Sequence, residues 1–202
     1  LKDGVPKQTF TAKVRPGDIK YVDLDKNGFI DTYDQMAIGG TENPEIVYGF
    51  GVNLRWKELD FGAMFQGIGR TWRILSSNIM PASNKGSMYN IFDNYQDRWT
   101  VDNQSQDVFY PRADYGPNAN NSQKSTWWLR NMSFLRLKNL ELGYSCPKKW
   151  LQGFVISNAR VFVRGTNLLT FSKFNLWDPE LATGDGAKYP AMKSVSVGFD
   201  IT

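Results

Sequence analysis

The chain has 202 residues with a net charge of +4, 14% aromatic residues, 18 glycines, one cysteine and no histidine. Without histidine there is no Ser-His-Asp triad and no histidine metal site, and the lone Cys146, which cannot form an internal disulfide, reads as a small buried residue. Lysine and arginine are scattered with no basic run, which argues against nucleic acid as a partner, and no apolar stretch approaches the ~18 residues of a membrane helix.

The opening Leu1-Lys2-Asp3-Gly4-Val5-Pro6 has no signal-peptide pattern and reads as the interior of a longer polypeptide. Residues 1–45 read as a loop segment around one compact motif, Asp23-x-Asp25-x-Asn27-Gly28-x-x-Asp31-x-x-Asp34. The spacing puts oxygen ligands at loop positions 1, 3, 5, 9 and 12 of an EF-hand-type loop, with Gly28 at the sharp turn and the Phe29 carbonyl at position 7. Calcium, a hard cation that binds oxygen, fits Asp23, Asp25, Asn27, Phe29, Asp31 and Asp34 without a flanking helix pair. The same residues also fit an Asp/Asn-rich turn closed by its own side chains.

Residues 46–56 alternate, with Ile46, Tyr48, Phe50, Val52, Leu54 and Trp56 on one face and Val47, Gly49, Gly51, Asn53 and Arg55 on the other, which predicts a strand. Leu59, Phe61, Ala63 and Phe65 repeat the pattern in phase across Lys57-Glu58. That pair is a poor two-residue turn, so a turn longer by a residue or two is expected. Residues 68–133 are long and polar, too long for an ordinary loop of a compact domain. Strand character returns at 134–145, where Leu135 and Leu137 lie out of phase with Leu140, Leu142 and Tyr144; a bulge near Lys138-Asn139 reconciles them. Residues 159–166 and 194–201 complete five strands. The connections alternate between short and long, as in transmembrane barrels with short periplasmic turns and long outer loops. That parity puts residues 1–45 outside the cell if the chain ends in the periplasm.

The aromatics of the long loop, Trp72, Tyr89, Tyr95, Trp99, Tyr110, Tyr115, Trp127 and Trp128, read mainly as packing. Trp72, Trp99 and Trp127 are candidates for contact with substrate or with a lid, and at least one of Trp127 and Trp128 is expected at the membrane boundary. Asp178 and Glu180 lack a diagnostic glycosidase spacing and read as loop residues, so no catalytic residue and no enzyme is expected.

Several stretches, in order and spacing, resemble one family. They are Pro16-Gly17-Asp18-Ile19-Lys20-Tyr21, the acidic loop, Tyr48-Gly49-Phe50-Gly51, Asp97-Arg98-Trp99-Thr100 and Tyr110-Pro111-Arg112. Phe134-Leu135-Arg136-Leu137-Lys138-Asn139-Leu140, Leu142-Gly143-Tyr144, Arg164-Gly165-Thr166-Asn167-Leu168-Leu169-Thr170 and Asp178-Pro179-Glu180 follow. The chain resembles the C-terminal part of SusC/RagA-type TonB-dependent transporters of Bacteroidetes. The resemblance implies an all-β fold, the last strands of an antiparallel transmembrane barrel of about 22 strands around an N-terminal plug. It also implies outer-membrane lipid around the barrel, import of oligosaccharide or peptide, coupling to TonB through a region absent from this sequence, and a SusD-like lipoprotein as lid. In this reading 1–45 is an extracellular loop, and 46–202 carries barrel strands with extracellular loops at 68–133 and 171–192, with no complete autonomous domain. The family usually ends on an aromatic residue, whereas this sequence runs Gly198-Phe199-Asp200-Ile201-Thr202. The alternative is a secreted calcium-binding β-sandwich that binds carbohydrate.

Overall fold

The computed structural model describes residues 4–11, 13–76, 79, 92–114, 118–153 and 155–202. Its strands are β1 (Lys7–Gln8), β2 (Phe29–Ile30), β3 (Ile46–Trp56), β4 (Leu59–Gly69), β5 (Trp72–Ile74), β6 (Leu129–Asn131), β7 (Phe134–Ser145), β8 (Ala159–Ser172) and β9 (Ser194–Ile201), with a single-turn helix α1 (Lys148–Leu151). The chain divides into two compact units: residues 1–39 with 74–130, and residues 40–73 with 131–202.

The second unit is an open five-stranded antiparallel sheet in the order β3-β4-β7-β8-β9, so its five strands lie in their chain order, with β5 and β6 left out between β4 and β7. Directly paired residues point to the same face, so the register sorts the side chains into rows. Leu54, Phe61, Leu142, Val163 and Val197 form one row, and Trp56, Leu59, Tyr144, Val161 and Phe199 form the next on the same face. Between them, on the opposite face, runs Arg55, Asp60, Gly143, Phe162 and Gly198. Asn53, Gly62, Glu141, Arg164 and Ser196 make the next polar-face row. One face is therefore apolar on all five strands, and it is bare: Leu54 is 61% exposed, Val197 63% and Phe199 69%.

The bulge expected near Lys138-Asn139 is present. Met64 and Phe65 are consecutive in β4 but pair with Asn139 and Leu137, leaving Lys138 as the extra residue. The same step in β7 spans Thr166 to Leu169 in β8, where Asn167 takes a left-handed φ of +55°. A strand's side chains alternate with period two, so one extra residue moves Leu135 and Leu137 onto the face of Leu140 and turns Arg136 to the polar face.

The hairpin turn is shorter than expected. Trp56 pairs with Leu59, so Lys57 and Glu58 form the whole turn, and Lys57 pays for the tightness with a left-handed φ of +55°. β8 also runs on to Ser172, past the predicted 166, and Cys146 is half-buried rather than buried. This unit's buried large apolar side chains, Met132, Phe134, Leu137 and Phe174, gather at the end of the sheet away from the Lys57-Glu58 turn.

The first unit has little regular structure and is held by polar side chains. β1 and β2 pair in parallel, and its buried residues include Ile19, Ile30, Leu75, Ile79, Tyr110 and Trp128. Asp18, whose side chain is fully buried, accepts from Arg112, Asn118 and Asn121, while Asn120 and Asn121 bond both backbone groups of Ile19. These amides do the work that a ladder does in a sheet: they satisfy the backbone of a buried loop.

Candidate functional site

The acidic loop turns through left-handed residues at Lys26 (φ +61°) and Gly28 (φ +87°). Each turn carboxylate or amide accepts a nearby backbone N–H: Asp23 from Gly28 at 2.8 Å, Asp25 from Asn27 at 3.1 Å, and Asn27 from Phe29 at 2.8 Å. Asp34 reaches back, accepting from Asp31 N–H at 2.8 Å and from Leu24 N–H at 2.7 Å. These two donors hold the Asp34 carboxyl below the usual aspartate range. The closure brings carboxylate oxygens of Asp23, Asp25 and Asp34 within 4.8 Å of one another. The Oδ1 of Asp23 is buried and has no hydrogen-bond partner.

Asp31 is not part of this cluster. It caps the short 3-10 turn Thr32–Asp34, its side chain accepting from Tyr33 N–H at 2.7 Å. Asn27 donates its side-chain amide to Asp25 at 2.9 Å, and Phe29 opens β2 with its ring exposed.

The indoles of Trp72, Trp99 and Trp127 are spread apart in the sequence and each is half-buried. Trp72 lies on Gly40, Trp99 covers Gly17 so closely that a Cβ there would collide with the ring, and Trp127 donates its N–H to the Phe109 carbonyl at 3.1 Å. Trp128 is buried in the first unit, its N–H bonded to the Asn121 carbonyl at 2.8 Å. Tyr110 is buried too, edge-on to Phe109 and tilted against Tyr95, and burial pushes its hydroxyl up to about 12. Tyr89 and Tyr115 lie outside the described residues.

The second group of polar side chains is on the sheet. Arg160 on β8 reaches across β7 to Asp60 on β4 (Nε to Oδ1, 3.0 Å), and it also bonds Glu141 at 2.7 Å and Asp200 on β9 at 3.3 Å. Arg164 completes the network on Glu141 at 2.7 Å. One guanidinium thus ties four neighbouring strands. Gly143 makes the reach possible, since a Cβ there would run into Arg160 and both Asp60 oxygens. Both guanidinium groups flank the Phe162 ring, at 5.0 and 5.3 Å. A hollow of about 780 Å³ borders Arg55, Asp60, Asn139, Glu141 and Arg164. Asp178 and Glu180 are the counter-ions of Arg136 and Lys138. The sequence places Asp60, Glu141, Arg160 and Arg164 in the polar phase of their strands. It does not say which strands are neighbours, and that hides the network.

No protein-family model matches the chain. TonB-dependent receptor P26 of Formosa agariphila is 31% identical over 201 residues, covering 92% of this chain and 20% of that protein. TonB-dependent receptor SusC of Bacteroides thetaiotaomicron is 24% identical over 98% of this chain and 19% of its own length. Among solved structures, the RagAB peptide importer in its 'open-open' state matches with a TM-score of 0.69 and 32% identity, covering 90% of this chain and 20% of that one. Sequence and strand arrangement therefore agree: the chain is a relative of the TonB-dependent receptors of the SusC and RagA kind, spanning about a fifth of their length.

Proposed function

We propose that the chain forms part of the wall of an outer-membrane transport barrel of about 22 strands. In this reading the barrel imports oligosaccharide or peptide, is driven through TonB and is covered by a SusD-like lipoprotein. The observation that carries the proposal is the two-faced sheet. A lipid-facing wall needs bare apolar side chains on one face and tolerates polar ones on the other, as these rows provide. The dimensions agree. The eleven residues of β3, at a rise of about 3.4 Å and a tilt of about 40°, project to roughly 26 Å, against an apolar band of about 25 Å. A secreted β-sandwich would cover that face with a second sheet about 10 Å away, and none covers it among the described residues. The RagAB peptide importer, by its name, supports a peptide as one cargo, and the likeness to a receptor named SusC keeps the TonB-driven route.

The test uses nitroxides on the full-length receptor in its membrane. A nitroxide at Val52→Cys should collide with lipid-dissolved oxygen more often than with a water-soluble nickel chelate, and one at Asn53→Cys should not. The reverse ranking would remove the barrel reading.

The same proposal makes the acidic loop a structural calcium loop on the cell's outer side, since residues before Ile46 leave the sheet opposite the short turn. Oxygens bound to calcium at 2.3–2.6 Å lie at most ~5 Å apart, and those of Asp23, Asp25 and Asp34 already meet that limit. The unpartnered Asp23 oxygen is free to bind. A weak site suffices, because extracellular calcium modules work at about 10⁻⁴–10⁻³ M. Trp72, Trp99 and Trp127 then hold loops whose outer surfaces meet the cargo or the lid. Terbium luminescence on the full-length receptor should show a calcium-displaceable site that Asp25→Ala abolishes; an unchanged signal in that variant would refute the loop as the ligand.

A further inference from the structure

The connection after β8 folds back onto the polar face of the sheet. Phe174 is buried and packs edge-on against Trp177 at 4.9 Å, and Trp177 in turn lies on Gly186. Between them Pro179–Leu181 makes one 3-10 turn, capped by Asp178, which accepts from Glu180 N–H at 3.0 Å. The same Asp178 carboxylate takes one Arg136 nitrogen. Glu180 takes the other at 3.0 Å and accepts from Lys138 at 2.7 Å. The Arg136 side chain is 2% exposed. The bulge aims both cations. Lys138 is its extra residue, and had β7 alternated through Lys138 without the bulge, Arg136 would point to the apolar face.

We propose that residues 173–186 are a releasable strap, latched onto the polar face by Arg136 and Lys138 through Asp178 and Glu180. The proposal rests on the barrel reading, in which that face lines the lumen, so the latch sets the width of the passage. Charge makes the latch openable. Closing it takes Arg136 and Asp178 largely out of water and Lys138 and Glu180 in part, a desolvation cost that offsets much of their attraction. The closed latch is also incompletely satisfied, because the Arg136 Nε is buried with no partner. Release returns all four groups to water. An apolar plug of the same size would have no such compensation. Arg136 is then a positioning residue for the strap.

Amide hydrogen exchange of the full-length receptor tests this. In R136Q, D178N and E180Q, exchange across 174–186 should quicken roughly tenfold or more, the effect of losing one charge-assisted hydrogen bond. R136K, which keeps the charge but not the planar fork, should fall between these and the parent. β7 and β8 should exchange as before. Asp178 and Glu180 lie outside the sheet, so D178N and E180Q decide the matter even if R136Q disturbs strand pairing. Unchanged strap exchange in D178N and E180Q overturns the latch. Failure of the Val52 and Asn53 nitroxide test would sink the barrel reading and leave this exchange result standing.

Discussion

Gly143 shows how much one missing side chain can permit. It sits between Asp60 and Phe162 in its row, and the Arg160 side chain crosses above it to reach β4. A Gly143→Val change should push that guanidinium off Asp60 and destabilise the full-length receptor by about 1–3 kcal/mol through overpacking. Gly62→Ala is the control, since the nearest atom to its Cβ would be the Asn53 side-chain oxygen at 3.0 Å. Denaturant midpoints in detergent should separate the two, and equal midpoints would mean that the staple contributes nothing. Asp34 makes a prediction of opposite chemistry. Its pKa is lowered by the N–H groups of Asp31 and Leu24, so its contribution to the loop is fully present above the unfolded aspartate value. That contribution is lost only as the pH falls through the lower, folded value. Amide protection at Leu24 and Asp31 should therefore persist at mildly acidic pH and disappear below the ordinary aspartate range. Disappearance near neutral pH would contradict the assignment.

The strands owe their faces to alternation and their neighbours to register. Val52 lies in the row of Ala63, Leu140, Gly165 and Val195, and Asn53 in that of Gly62, Glu141, Arg164 and Ser196. Arginine at Val52 should cost roughly 2–4 kcal/mol in bilayer folding if it lies near the midplane, whereas lysine at Asn53 should cost little. Equal costs would show that the faces are misassigned. The alternation was legible from residue order alone, and so was the bulge, because Leu137 and Leu140 cannot share a face without an extra residue between them. The tight turn at Lys57-Glu58 was not legible. Turn propensity disfavours it, but the eleven residue pairs between the two strands outweigh one strained φ.

The sheet ends on two open edges, β3 and β9, and exposes an apolar face across all five strands. Residues 1–202 expressed alone should therefore aggregate, since unpaired edges and bare apolar surface both invite self-association. A soluble, cooperatively melting monomer would contradict this. Residue order was enough to establish the all-β class, the five long strands, their two faces, the bulge and the kinship with the SusC and RagA receptors. All of these follow from local periodicity or short motifs, and neither requires knowing which distant residues meet. Pairing across long connections decided the rest. Arg160 meets Asp60 and Arg136 meets Asp178 only because strands and loops far apart in the chain are brought into register. Trp128, next to a strand in the sequence, is buried in the loop unit because the Asn121 carbonyl there accepts its N–H. A charge or an indole carries no local mark of its partner, so such contacts exist only once the chain has folded.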